Sequence, residues 1–256
     1  MIIDAHAYIG SSHRRYPLRV RSTRGLLDVM DRFGIEKACV SSLKAIQYDF
    51  IEGNHELKRE TERYPDRFIP FCVVHPRYWS EVEGEVVKCL SEWHFGGLAL
   101  HPLEQGFPAD CLSVKRLMEV VAGFGVPVAI HSAEDDVSHP RRIGALAAAF
   151  PSLTFIMYHM GRIFAFHDAI EVAAEHPNVI LDTTDVTHHD GVVEKAVSMV
   201  GADRVVWGSN LPISYPGPNL TRIRIARVTE DARRKILGAN MLSILGRSSK
   251  CGSGVS

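Results

Sequence analysis

Met1-Ile2-Ile3-Asp4-Ala5-His6-Ala7-Tyr8-Ile9-Gly10 is the stretch whose reading decides the fold. Successive side chains of a strand point to opposite faces, so Asp4, His6 and Tyr8 share one face and Ile3, Ala5 and Ala7 the other. An acid, an imidazole and a phenol in a row on a buried strand need partners, because a buried polar group without one costs about 1–3 kcal/mol. A polar row ending at a glycine fits the inner wall of a barrel that opens into a site. A core strand whose polar groups are simply hydrogen-bonded is the alternative.

Outward from this strand, strand and helix alternate along the chain. Further strands are expected at Lys37–Leu43, Phe68–His75, Gly97–His101, Val126–His131, Leu153–His159, Val179–Thr183 and Arg204–Ser209, with the first running Ile2–Tyr8. Amphipathic stretches between them read as helices: Ser22–Phe33, Gly53–Tyr64, Ser113–Phe124, Arg141–Phe150, His167–Glu175 and Gly191–Val200. Glycine or proline punctuates most of their ends, as helix termini favour. Eight strands separated by helices fit one closed parallel barrel better than an open sheet, and no glycine-rich phosphate loop follows the first strand. The expected fold is an α/β single (β/α)8 TIM-like barrel over residues 1–245, closed by a helix from Thr229 to Leu245. Residues 246–256, small and polar, are expected to form a disordered tail.

The bulk composition excludes several classes of function. With 29 Lys and Arg against 30 Asp and Glu in 256 residues, nothing draws the chain to nucleic acid or to an anionic membrane. Pro151, Ser152 and Thr154 interrupt the longest apolar region well short of a membrane span. No basic segment followed by an apolar core opens the sequence, and the five scattered cysteines suit reduced thiols, so a cytoplasmic location is expected. Cys39, Cys72 and Cys89, like Trp79, Trp93 and Trp207, read as core. Ser209 lies outside a G-x-S-x-G elbow, which argues against a serine nucleophile.

Active sites of such barrels lie at the C-terminal ends of the strands, and there the histidines gather. His6, His75, His101, His131 and His159 finish five of the eight strands, and His188 and His189 follow the seventh. Converging neutral imidazoles suit a transition metal or proton transfer near neutral pH. His75 and His101, each followed by proline, could equally cap their strands. Arg14, Arg15 and Arg162 are cations near the expected mouth, and Asp182 and Asp185 are carboxylates after the seventh strand.

These segments carry a family resemblance. Ile3-Asp4-Ala5-His6-Ala7-Tyr8-Ile9-Gly10 resembles I-D-x-H-x-H-x-G, and Gly96-Gly97-Leu98-Ala99-Leu100-His101-Pro102 resembles G-x-x-G-x-K-x-H-P. Tyr158-His159-Met160-Gly161 is similar to H-M-G, and Gly208-Ser209-Asn210-Leu211-Pro212 to G-S-D-x-P. Tyr64–Phe68, Ile130-His131 and Ile236–Asn240 match in the same order. The chain therefore resembles the amidohydrolase superfamily, in the branch that holds hydrolases, lactonases, hydratases and nonoxidative decarboxylases. The resemblance implies a divalent metal, zinc or manganese, with His6 and His131 at ligand positions, and His159 as the histidine that polarises substrate. It implies a small-molecule substrate and a possible homodimer.

Three positions depart from the pattern: Tyr8 replaces the second histidine of strand one, Asn210 the aspartate of strand eight, and Ala99 a common lysine. An amide has no proton-accepting carboxylate, and a phenol with pKa near 10 binds metal well only when deprotonated. Three readings follow. A remodelled metal hydrolase of a small carboxylated or carbonyl compound (ester, lactone or amide) would use His6, His131 and His159, with Asp182, Asp185 or His188 as base. A metal-free lyase, lactonase or isomerase would bind an acidic substrate through His6, His101, His131 and His159, with Arg162 nearby and Tyr8 as general acid. Across the readings His159, Asn210 and Tyr8 are the catalytic candidates, and His75, His101, Arg162 and Asp182 the substrate-binding ones. A barrel that only binds a ligand is the third.

Overall fold

The computed structural model describes residues 1–10, 18, 20–186 and 190–251. Arg14, Arg15, His188, His189 and residues 252–256 lie outside them. Eight parallel strands follow one another round the barrel in chain order: β1 (Ile3–Ile9), β2 (Lys37–Ser42), β3 (Phe68–Val73), β4 (Gly97–Leu100), β5 (Val128–His131), β6 (Phe155–Tyr158), β7 (Val179–Asp182) and β8 (Val205–Val206). The barrel closes where Ala5 N–H donates to Trp207 O at 3.0 Å and Asn210 N–H donates to His6 O at 2.8 Å. A parallel bridge between Ala7 and Leu211 adds to that seam.

Among the described residues the connecting helices are α1 (Thr23–Phe33), α2 (Leu43–Gln47), α3 (Phe50–Thr61), α4 (Trp79–Val87), α5 (Pro102–Gln105), α6 (Leu112–Ala122), α7 (Pro140–Ala149), α8 (Phe166–Glu175), α9 (Val192–Val200), α10 (Pro216–Ile225), α11 (Glu230–Arg234) and α12 (Asn240–Cys251). α1 shows why these segments are helical. Ser22 accepts the Gly25 N–H at its start, Gly34 takes φ 70° at its end, and Leu26, Leu27 and Met30 are buried between. α11 passes through a π-helical stretch, Lys235–Ala239, into α12. That helix continues to Cys251, past residue 245, so the start of the expected tail is helical.

All eight expected strands are present, but most ladders stop short of the expected ends. β3, β4 and β6 end before His75, His101 and His159, which therefore sit on the loops above the sheet. α4 and α10 were absent from the sequence pattern, for one shared reason. α4 buries Glu85, which Asn54 reaches at 3.1 Å, and α10 buries Asn219, so a polar residue breaks the apolar stripe of each. Cys39, Cys72, Cys89 and Trp207 are core, as expected, and no helix among the described residues is long and apolar enough to cross a membrane.

Candidate functional site

The first strand carries its polar row into the barrel interior. The β1–β2 register shifts between Asp4 and Ala7, and such an irregularity re-aims a side chain. Here it spans Ala5 and His6. The His6 ring lies flat on Tyr158 of β6, with centroids 3.6 Å apart and planes 7° from parallel. Its Nδ1 is 3.0 Å from Asp182 Oδ2 and its Nε2 is 2.6 Å from the Tyr8 hydroxyl. Asp182, at the end of β7, also accepts from Thr184 N–H (3.1 Å) and Thr184 Oγ1 (2.7 Å), both on Oδ1, and from His159 N–H (3.3 Å) on Oδ2. Asp4 instead joins the first and last strands, accepting from His6 N–H at 3.0 Å and Ser209 N–H at 2.9 Å.

Burial dominates the electrostatics. It pushes the carboxyls of Asp4 and Asp182 up to about 7, and pushes the His6 imidazole down to about 3. Burial also holds His101, His131 and His159 well below the usual histidine range, helped by the neighbouring imidazoles. The cluster is therefore neutral near pH 7. The His131 and His159 rings stand 4.8 Å apart, and those of His101 and His131 6.1 Å. Among the described residues His131 Nδ1 and His101 Nε2 are buried with no hydrogen-bond partner. Each costs about 1–3 kcal/mol until some polar group satisfies it, which is a debt typical of a binding site.

A cavity of about 240 Å³ opens over these rings, lined by Tyr8, His101, His131, His159, Arg162, Asp185 and Asn210, with Leu43, Ile46 and Ile213 as apolar wall. One carboxylate is held in position at its edge. Asp185 Oδ2 accepts from Asn210 Nδ2 at 2.6 Å and from Ser214 Oγ at 3.1 Å, and Oδ1 accepts from Asn219 Nδ2 at 3.3 Å. Asp185 Oδ2 also lies 3.9 Å from His159 Nδ1. The backbone is strained in the same place. His159, Met160, Arg162, Asp185 and Asn210 all have φ between 43° and 63°, and among the described residues His94 alone does so elsewhere without being glycine. Such conformations cost about 1–3 kcal/mol each and collect at functional sites.

Of the residues expected at the site, Tyr8, His101, His131, His159, Arg162 and Asn210 line one cavity. His6 and Asp182 lie behind Tyr8, so Asp182 is not placed to touch substrate. His75 is not brought in: it packs against Tyr78 and Phe107, with centroids 4.9 Å and 5.7 Å away, and accepts from Arg77 N–H. The loop after β3 carries it away from the mouth. Ser214 and Asn219 were missed, and an isolated serine and asparagine beyond the last strand give no signal in sequence.

The divalent metal that the resemblance implies does not fit this donor set. Both nitrogens of His6 already have partners, and the Tyr8 hydroxyl covers the one that faces the cavity. An amide, itself donating to Asp185, stands at position 210. Among the described residues no three histidine, cysteine or acidic side chains are disposed to hold a cation. A cation would have to break the His6–Tyr8 contact and would gain no carboxylate from strand eight.

The family model described as Amidohydrolase matches residues 3–247. A comparison with curated protein sequences gave no match. Among solved structures, 5-carboxyvanillate decarboxylase from Sphingomonas paucimobilis superposes with a TM-score of 0.78 at 15% identity, covering 96% of this chain and 98% of that one. 2,6-Dihydroxybenzoate decarboxylase from Rhizobium gives 0.74 at 17%, covering 96% and 98%. Dihydroxybenzoic acid decarboxylase from Polaromonas sp. JS666, with bound manganese and the inhibitor 2-nitroresorcinol, gives 0.74 at 16%, covering 96% of each chain. At these identities the likeness carries the barrel, while the sequence match across almost the whole length carries the kinship: the chain belongs to the amidohydrolase family.

Proposed function

We propose that the cavity hydrolyses a small carboxylated or carbonyl-containing compound, an ester, lactone or amide, with Asp185 as general base. The observation that carries this is the placement of Asp185: a carboxylate fixed by Asn210, Ser214 and Asn219 at the edge of a pocket floored by neutral imidazoles. A base held within reach of a bound water contributes about 10²–10⁴-fold to rate. Arg162 supplies positive charge for a substrate carboxylate, and the His101 and His131 rings line the same cavity beside it. His159, whose Nδ1 is 3.3 Å from the Thr184 carbonyl oxygen, is fixed with its proton on that nitrogen and presents Nε2 as an acceptor. No step is routed through a metal, because the donors present do not form a site for one.

The test is a panel of small carboxylated lactones, esters and amides, assayed with chelator present and followed by product identification. Hydrolysis that falls at least about 100-fold in Asp185→Asn, with KM little changed, supports the reading. A second reading, nonoxidative decarboxylation, is favoured by Tyr8, a phenol on the cavity floor that could protonate a carbanion left by departing CO2. Carboxylated substrates that release CO2 without uptake of water would replace the first reading with the second.

A further inference from the structure

The disagreement between the donor set and a metal centre has a positive counterpart. We propose that Tyr8, His6 and Asp182 form a proton relay standing in place of the family's metal, which moves one proton between the cavity and a fully buried carboxylate. This goes beyond the role of Asp185 and depends only on the cavity being the site.

Three features make the chain continuous. Tyr8 alone of the three lines the cavity, so protons enter or leave at its oxygen. The contacts behind it, 2.6 Å to His6 Nε2 and 3.0 Å from His6 Nδ1 to Asp182 Oδ2, are both within transfer distance. The ring between them is fixed by its stack on Tyr158 and by Gly208, where an added Cβ would lie 2.7 Å from His6 Cβ and 2.8 Å from Asp182 Oδ1. When the relay loads, a proton from the cavity binds the Tyr8 oxygen, the Tyr8 proton passes to His6 Nε2, and the His6 Nδ1 proton passes to Asp182 Oδ2. Tyrosine and imidazole end neutral, and the Tyr8 O–H now faces the cavity. Reversal of the same three transfers delivers the proton to an oxygen whose bond to the acyl carbon is breaking, complementing Asp185 on the attacking water.

The two ends of the chain are oxygens, and the ring between them turns one nitrogen to each. The unloaded state is a carboxylate served by Thr184 N–H, Thr184 Oγ1, His159 N–H and His6 Nδ1–H. Thr184 places both donors on Oδ1, so an asparagine at 182 keeps its oxygen there and turns its N–H₂ toward His6 Nδ1, giving up the 3.3 Å bond from His159 N–H. That substitution imposes the loaded tautomer.

The experiment is 15N NMR of the full chain labelled in histidine, at pH 8, which reads the relay without needing a substrate. The wild type should show a neutral His6 protonated on Nδ1, and Asp182→Asn should show it protonated on Nε2. Tyr8→Phe should keep the wild-type tautomer, with the Nε2 resonance moved by loss of its hydrogen bond. Zinc chloride added to the wild type should leave the His6 and His131 resonances in place. A His6 protonated on both nitrogens, an Nε2 resonance unmoved in Tyr8→Phe, or a stoichiometric zinc-induced shift of His6 would each overturn the relay. So would an unchanged tautomer in a folded Asp182→Asn. Should that variant not fold, the Tyr8→Phe and zinc arms decide alone. Failure of every assayed hydrolysis would count against the Asp185 reading and leave these NMR outcomes unaffected.

Discussion

At the scale of one residue, Asn210 shows how much chemistry a single atom carries. Its Nδ2 donates to Asp185 at 2.6 Å, a bond a carboxylate at 210 could not make while both groups stay ionised. Asn210→Asp would put two carboxylates in direct contact, and such a pair titrates as a unit in which one group holds its proton to higher pH. The expected outcome is an acid limb of the pH–rate profile displaced upward by about one unit or more, with metal binding still absent because Tyr8 remains on His6. A profile unchanged by the substitution would remove Asp185 from the rate-limiting proton transfer. His131 offers a complementary case. Its ring lines the cavity, so His131→Gln should lower affinity for a carboxylated ligand by about 10-fold while leaving folding stability within about 1 kcal/mol. Ligand titration alongside urea melting separates the two effects, and a large loss of stability would mark His131 as a packing residue instead.

At the scale of elements, the site depends on how α2 and α3 cross. An added Cβ at Gly53 of α3 would lie 2.2 Å from Ala45 N and 2.5 Å from Ala45 Cα, both backbone atoms of α2. α2 carries Ile46 and Gln47, and Leu43 at its start, to the cavity wall. Gly53→Ala would gain up to about 1 kcal/mol of helix propensity but would force the helices apart, and overpacking of this kind costs about 1–3 kcal/mol or more. A lowered urea midpoint is expected, and an unchanged one would mean that α2 can shift freely. Elements of this size were largely legible in the sequence. Val128–His131 and Phe155–Tyr158 sit inside apolar runs covered on both faces, and α1 announces itself through Ser22, Leu26, Met30 and Gly34. Strand termini were not legible, because the residues beyond a ladder can be as apolar as those within it. The convergence of His101, His131 and His159 could be read, since a barrel brings all its strand ends to one mouth. The pairing of His6 with Asp182 across 176 residues could not. Which carboxylate meets which ring depends on register and rotamer, and the backbone turns at Asp185 and Asn210 leave no compositional trace.

At the scale of the whole molecule, the buried ionisable groups set how stability responds to pH. Five histidines have folded values lowered below the usual 6.5, the fully buried His6, His101, His131 and His159 and the partly buried His75, and two acids (Asp4, Asp182) have folded values raised to about 7 from 3.8. The signs oppose one another. The depressed histidines take up protons when the chain unfolds, so their contribution to stability is present above pH 6.5 and is lost as pH falls below it. The raised acids hold protons when the chain is folded, so theirs is present below about pH 4 and is lost as pH rises through about 7. Between about pH 4 and pH 6.5 the unfolded chain binds more of these histidine protons than the folded chain, and the folded chain more of the two aspartate protons. The histidines are the more numerous, so protons are taken up on unfolding and stability falls as pH falls, by about 1.4 kcal/mol per pH unit for each surplus proton. Above pH 6.5 the histidine term vanishes and ionisation of the two acids gives a shallower decline. Stability by urea melting should therefore peak close to pH 6.5, falling steeply on the acid side and gently on the alkaline side. Asp4→Asn should flatten the alkaline decline, because it removes one of the two groups responsible. A curve that keeps rising from pH 6.5 to 8 would show that the two carboxylates are already ionised in the folded barrel, and that the donors around them outweigh burial.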